Sequence, residues 1–160
     1  MADYSNIIDE LQIIANAFDD VSYFLYNRVS AVNGTQNAKG YPLILVNSTP
    51  NTIRGDINNS FLPNNKRFTV DVFCYNLRNR DVQAVKTMQK SQAEVDAILD
   101  KYIAEVIRRN ISGANGFSIV EFNTIGGFMA HDVHNDKLVA SKYSITIELD
   151  SNCVTGTFNY

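Results

Sequence analysis

Apolar residues near the start of the chain recur at helical spacing. They lie three or four residues apart: Ile7, Leu11, Ile14, Phe18 and Val21. That spacing places them on one face, so residues 7–21 are predicted to form an amphipathic α-helix. Residues 23–32 are rich in aromatic and β-branched side chains and are predicted as a strand, although Leu25 also continues the helical stripe.

The stretch 41–66 combines a short apolar strand with a segment that has no period. Residues 41–46 are nearly all apolar and are predicted as a strand, with Pro42 tolerable only at its start or on an edge. Residues 47–66 are predicted to form a long irregular arm, and loops of that length are usually functional or disordered. The arm carries apolar residues spaced along it: Ile53, Ile57, Phe61 and Leu62. They indicate an arm that packs on something, such as a neighbouring subunit.

The second half of the chain carries the clearest periodicities. Residues 67–77 alternate, with one predicted face formed by Phe68, Val70, Val72 and Cys74 and the other by Thr69, Asp71, Phe73 and Tyr75. Residues 81–110 are predicted as a long helix whose apolar stripe is interrupted at Gln92: Val82, Val85, Met88, Val95, Leu99, Tyr102 and Val106. Two further strands are predicted at 117–125 and 137–149, the second alternating through Val139, Tyr143, Ile145, Ile147 and Leu149.

The order of these elements predicts the fold class. A helix, then strands, then a long helix, then strands is typical of an α+β protein. We expect a single domain with a mostly antiparallel sheet, and with the N-terminal helix and the long central helix packed on one face. A chain of 160 residues fits one domain. Residues 1–149 form that domain, with the arm 47–66 inserted between strands, and residues 150–160 form a C-terminal tail.

Composition and charge narrow the classes of function. A net charge of −3 and a pI near 5.3 argue against a sequence-independent nucleic-acid binder, which needs a basic face. No apolar run approaches the roughly 20 residues that span a bilayer, and the N-terminus has no leader-like apolar block. Two cysteines imply no disulfide framework, which fits a reducing compartment. The expected location is therefore the cytosol or a virion.

The densest group of potential metal ligands lies at 131–136. It contains His131, Asp132, His134 and Asp136, and imidazole with carboxylate is a donor set for zinc, manganese or iron. Their spacing matches no motif with a known mechanism. The segment lies between two predicted strands, where Asp and Asn are also ordinary loop residues. Two interpretations stay open: a loop or interface role, and a small metal-dependent enzyme.

No other pattern points to catalysis. Cys74 could be paired with His131 or His134, but a small residue in an alternating strand is more often a buried packing residue. The glycine pair at 126–127 lacks the following glycine and helix of a phosphate-binding loop, which favours a turn or bulge. We therefore expect no catalytic residue, no metal and no cofactor.

The order of elements resembles that of tail-terminator and head-to-tail connector proteins of tailed bacteriophages. The resemblance covers most of the chain and is carried by arrangement: an amphipathic helix at 7–21, a short strand opening with Tyr41-Pro42, the arm 47–66, a strand at 68–75, a long helix and two closing strands. The segment 126–137 is also similar to structural neck proteins of crAss-like phages.

This resemblance implies a virion structural protein without catalysis, made in the cytoplasm of the host bacterium. Such subunits form a closed ring at the portal, neck or tail junction and contact portal, neck or tail proteins, with DNA at most passing through the ring and no membrane contact. The inter-subunit contacts we predict are apolar residues of the arm and tail: Ile53, Ile57, Phe61, Leu62, Phe158 and Tyr160. The alternatives are an assembly adaptor that forms no ring and the metal-dependent enzyme.

Overall fold

In a computed structural model, the described residues are 4–27, 40–47, 51–54, 65–77, 84–110, 117–125 and 138–150. Two helices and six strands lie within these ranges: α1 (Tyr4–Asn16), β1 (Tyr23–Asn27), β2 (Leu43–Asn47), β3 (Asn51–Arg54), β4 (Asn65–Leu77), α2 (Ala84–Asn110), β5 (Phe117–Ile125) and β6 (Leu138–Asp150). The α+β class, the mostly antiparallel sheet and the packing of both helices on it are confirmed.

The first helix is shorter than its apolar stripe predicted. Ile7, Leu11 and Ile14 are buried as expected, but α1 ends at Asn16. Phe18 and Val21 lie beyond that end and still pack against the same core. The chain turns there through backbone hydrogen bonds, such as the one from the Val21 N–H to the Phe18 carbonyl. Leu25 belongs to β1, so the prediction of a strand from Tyr23 is confirmed as far as Asn27.

The sheet is built around two long central strands. Its order is β1-β2-β4-β6-β5, with β3 also paired to β4. Strands β4 and β6 pair antiparallel without a break from Asn65↔Asp150 to Leu77↔Leu138. Among the described strands, only β1 and β2 are parallel. The central pair therefore fixes the positions of the shorter strands on either side.

The arm differs from its predicted irregular form. Asn51–Arg54 forms β3 and pairs antiparallel with β4, from Asn51↔Thr69 to Arg54↔Lys66. The β2 strand follows the same side of β4 further along, from Leu43↔Tyr75 to Val46↔Val72. Asn47 ends β2, and residues 65 and 66 belong to β4, so the irregular interpretation is wrong at both ends of the arm. Residues 48–50 and 55–64 of the arm lie outside the described residues.

The two faces of the sheet have separate cores. The helix-covered face buries Val70, Val72 and Cys74 of β4 against α1 and α2. The opposite face, here called the second face, has a cluster without helix residues: Leu43, Leu45, Phe73, Tyr75, Leu138 and Ala140. The predicted alternation of β4 is therefore confirmed for 70–75. Val139, Tyr143, Ile145 and Ile147 of β6 lie on the helix-covered face, also as predicted.

Candidate assembly surface

One end of the sheet is the attachment point of both the arm and the tail. We call it the arm end. Arg54 pairs with Lys66 there, and the neighbouring Asn65 pairs with Asp150. Segment 55–64 joins Arg54 to Asn65. Asp150, predicted as the first residue of the tail, instead ends β6, so the tail is 151–160. The arm and the tail are far apart in the sequence, but they are attached to the same end of three adjacent strands: β3, β4 and β6.

The opposite end of the sheet carries the other candidate segment. The last β4–β6 pair is Leu77↔Leu138, and the last β5–β6 pair is Ile125↔Lys142. Segment 126–137 joins β5 to β6 at this end. It contains the predicted metal candidates, which lie outside the described residues: His131, Asp132, His134 and Asp136. The arm and this segment are therefore attached at opposite ends.

The side chains of the predicted interface residues are not among those described. Ile53 lies in β3, where the structure describes the backbone. The other predicted contacts lie outside the described residues: Ile57, Phe61, Leu62, Phe158 and Tyr160. Their predicted role in subunit contacts stays a prediction, and what the structure adds is the common end from which their segments leave the sheet.

Polar residues line the second face toward the arm end. Thr69 and Thr146 are cross-strand partners whose hydroxyl oxygens lie 3.4 Å apart. Asp71 accepts a hydrogen bond from the hydroxyl of the opposite residue, Ser144. Its second oxygen lies 2.9 Å from the ammonium of Lys142. All these side chains are only partly buried, so this part of the second face is polar and accessible.

The same face becomes apolar away from the arm end. Phe73 and Tyr75 stack with ring centroids 5.9 Å apart, and burial raises the pKa of the Tyr75 hydroxyl to about 12. Lys142 marks the boundary, because its ammonium lies 5.4 Å from the Phe73 ring centroid while it also pairs with Asp71. A cation over an aromatic ring adds about 0.5–1 kcal/mol at such a site. The second face thus divides into an apolar and a polar half along two strands.

Hydrogen bonds fix the long helix on the sheet. The side-chain amide of Gln92 donates to the Ala140 carbonyl at 3.1 Å and to Asp96 at 2.9 Å. Further along α2, Asp100 accepts a hydrogen bond from the Tyr143 hydroxyl, which raises the pKa of that tyrosine to about 12. The interruption of the apolar stripe at Gln92 was the sequence signal for the first of these contacts. Both contacts restrain the scaffold from which the arm and tail extend.

A charged cluster occupies the last turns of α2. Glu105 accepts hydrogen bonds from Arg108 at 2.6 and 2.7 Å and from Arg109 at 2.8 Å, and these bonds lower its pKa to about 2. Arg109 also lies 3.8 Å from Glu10 of α1. Both arginines are therefore paired with carboxylates within the chain. Their position at a helix C-terminus is also favourable for the helix dipole.

Cys74 is a packing residue, as predicted. Its side chain is fully buried among the helix-covered core residues. Burial, with a smaller contribution from Asp96, raises the pKa of its thiol to about 12. The reactive species is the thiolate, so Cys74 is unsuited to act as a nucleophile at neutral pH.

Neither a metal site nor a membrane span is found among the residues that the structure describes. No group of three or more His, Cys, Asp or Glu side chains there could hold an ion. None of the described helices is long and apolar enough to cross a membrane. The chain matches no protein-family model, and no curated protein is significantly similar to it. Its function is therefore inferred from its own residues and their arrangement.

Proposed function

We propose that this chain is a virion structural subunit that forms an oligomeric ring at the portal, neck or tail junction of a tailed bacteriophage. The single observation that supports this most is the common attachment of arm and tail, where Arg54, Asn65 and Asp150 end adjacent paired strands. Two segments with apolar residues at one end of a rigid sheet are suited to contact a neighbouring subunit. The order of elements resembles that of connector and terminator proteins. This resemblance supports the location of the ring at a phage portal, neck or tail junction.

The proposed contact uses the arm end and not the helix-covered face. Both helices lie on one face of the sheet, where they close the larger core. The arm and tail would then join one subunit to a different surface of the next. Such heterologous contacts close into rings when the rotation between subunits is an integral fraction of a turn.

Native mass spectrometry over a range of concentrations tests this proposal, because it reports subunit number and bound metal together. We expect one discrete oligomer without metal. A ladder of masses that grows with concentration would contradict a closed ring and favour an open assembly. A monomer that carries stoichiometric metal would instead favour the enzyme interpretation of the His131 segment.

Paired loop replacements make the test specific to the arm end. In the first variant, residues 55–65 are replaced by Asn-Gly, a dipeptide that favours a tight hairpin between the paired residues Arg54 and Lys66. We expect this variant to fold, with unchanged thermal unfolding, but to assemble about tenfold more weakly or not at all. The control replaces 126–137 at the opposite end by a six-residue Gly/Ser linker, because Ile125 pairs with Lys142 and the linker must pass residues 138–141 to reach β6. Equal loss of assembly in both variants would contradict a role specific to the arm.

A further inference from the structure

The outer face of α2 is exposed along most of the helix. Exposed side chains recur along it at spacings of four and three residues, and we call them the outer stripe: Lys90, Glu94, Ala97, Lys101, Ala104 and Arg108. This spacing places them on one side of the helix, opposite the core residues Leu99 and Val106. The outer stripe is therefore open to solvent over about five turns.

The charges of the outer stripe are complementary to those of a second copy placed antiparallel. Glu94 lies three residues before Ala97, and Lys101 lies three residues after Ile98. When two copies of α2 lie antiparallel about this centre, Glu94 of each copy stands level with Lys101 of the other. In a parallel pair each charge would instead meet its own kind. The pattern therefore favours one direction and one register.

The centre of the outer stripe is small enough for close approach. Ala97 is exposed there, and Ile98 beside it is only partly buried against the core of its own chain. Packed helices lie about 8–10 Å apart, depending on the side chains at the contact. Ala97 thus permits a short distance between two helices, while Glu94 and Lys101 specify the partner.

The two charged residues that flank this centre are available for a partner. Glu94 makes no ion pair with any residue that the structure describes. The ammonium of Lys101 lies 3.4 Å from Asp20, but 64% of the lysine side chain is exposed. Exposed pairs of this kind contribute little to stability, so Lys101 can also serve a second carboxylate. Glu105 is different, because it already accepts hydrogen bonds from Arg108 and Arg109.

We propose that α2 of one copy packs antiparallel on α2 of a second copy, about a two-fold axis near Ala97, with Glu94 of each copy paired to Lys101 of the other. Such a contact is isologous, since both copies use the same patch. It goes beyond the proposed ring, because a two-fold contact joins two copies and does not by itself close a ring. Together, the two contacts give two rings back to back, with an even number of subunits.

Cysteine cross-linking tests the direction and the register of this contact. Three chains carry one new cysteine at an exposed alanine of α2, as Ala93→Cys, Ala97→Cys or Ala104→Cys, each combined with Cys153→Ser. The remaining Cys74 is buried in every chain. A disulfide requires Cα atoms about 5.5 Å apart. At 1.5 Å per residue, the two copies of position 93 or 104 lie about 14 or 20 Å apart along the axis, whereas those of position 97 lie side by side.

We therefore expect a disulfide dimer of the Ala97→Cys chain under mild oxidation, formed roughly tenfold faster than dimers of the other two chains. Equal rates at the three positions are what a parallel pair or random collision gives, and they would overturn the proposal. Absence of a dimer of the Ala97→Cys chain would also overturn it.

Charge reversal tests the pairing itself. Glu94→Lys and Lys101→Glu each place like charges opposite one another at both ends of the two-fold contact, so each should weaken self-association about tenfold. In a mixture of the two variants, opposite charges face each other again at both places. We expect the mixture to associate as tightly as the parent chain.

The control for these substitutions is Gln89→Lys, which adds a charge at an exposed position of α2 outside the outer stripe. It should leave association unchanged, and circular dichroism should show the same helical content in all variants. Single variants that associate like the parent chain would contradict the proposed pairing. A mixture that fails to regain association would contradict it as well.

Native mass spectrometry, at the lowest concentration at which the unmodified oligomer is complete, separates this contact from the proposed ring. If both contacts form, the number of subunits is even and Glu94→Lys halves it. If the number stays unchanged in Glu94→Lys, the ring stands and only the α2 contact fails. Dimers that Glu94→Lys converts to monomers support the α2 contact and contradict the ring. An unmodified chain that stays monomeric contradicts both.

Discussion

The hydroxyl of Tyr102 donates a 2.8 Å hydrogen bond to the backbone carbonyl of Leu11, inside the contact between the two helices. Both residues are buried, and Phe18 packs edge-on against the same ring with centroids 6.4 Å apart. This contact joins α1 to α2 at a point where the sequence showed only two apolar stripes. It adds one directional polar contact to the apolar packing of α1 against the core.

We expect Tyr102→Phe to destabilise the fold by about 1–2 kcal/mol, because it removes a buried hydrogen bond while keeping the ring. Urea unfolding followed by circular dichroism measures the change. The matched control is Tyr143→Phe, which removes a hydrogen bond to the exposed residue Asp100 and should cost less. If Tyr102→Phe had the smaller effect, the buried bond would not be what positions α1.

Gln92 gives a second prediction, on the contact between α2 and β6. Gln92→Glu removes the N–H donor to the Ala140 carbonyl and places a carboxylate beside Asp96. We expect a loss of more than about 1 kcal/mol at pH 8, since a buried carbonyl loses its donor and a charge is buried. The loss should shrink at pH 4, where the new carboxyl is more protonated.

Gln89→Glu is the control for that substitution, because Gln89 is exposed on the same helix. It should change the free energy of unfolding by less than about 0.5 kcal/mol. An equal effect of both substitutions would mean that added charge on α2, and not the contact with Ala140, explains the loss.

The elements that the sequence predicted best were those whose own side chains face a core. The alternation of β4 assigned Val72 and Cys74 to one face and Phe73 and Tyr75 to the other, and both faces are buried in that way. Strand β5 was predicted with its observed bounds. In β4 the local period and the burial agree, so one sequence sufficed.

The features that the sequence did not predict depend on distant partners. The Asn-Thr-Ile-Arg segment of β3 has no apolar period, and its strand conformation comes from pairing with β4. Phe18 keeps the helical spacing after α1 has ended, because a turn returns it to the same core. The common end of arm and tail follows from the β4–β6 register, which joins residues 65 and 150. No local pattern encodes such a pairing.

A third prediction concerns alkaline pH. Burial raises the pKa of Cys74 and of Tyr75 to about 12, from 9.0 and 10.0, and it raises that of Tyr102 as well. Above the ordinary pKa of each group, the unfolded chain releases a proton that the folded chain keeps. Unfolding is therefore favoured as pH rises, by about 1.4 kcal/mol per pH unit for each such group.

We expect the free energy of unfolding to be level from pH 7 to about pH 9, to fall first through Cys74, and to fall more steeply above pH 10 as the tyrosines contribute. Urea titrations at intervals from pH 7 to 11 measure this profile. Cys74→Ala should lower stability at every pH but remove the decline between pH 9 and 10. A variant profile parallel to that of the parent chain over this interval would contradict the assignment to Cys74.

The fourth prediction concerns acid pH and the cluster at the end of α2. Hydrogen bonds from Arg108, and then from Arg109, lower the pKa of Glu105 from 4.5 to about 2. The stabilisation from this group is therefore complete above about pH 4.5 and is lost as pH falls toward 2. Titration of the Glu105 side-chain carbonyl by NMR should give the depressed midpoint directly.

Arg108→Gln should raise that midpoint more than Arg109→Gln, because Arg108 donates two hydrogen bonds and Arg109 one. The reverse order would show that Arg109, which also approaches Glu10, is the principal partner of Glu105.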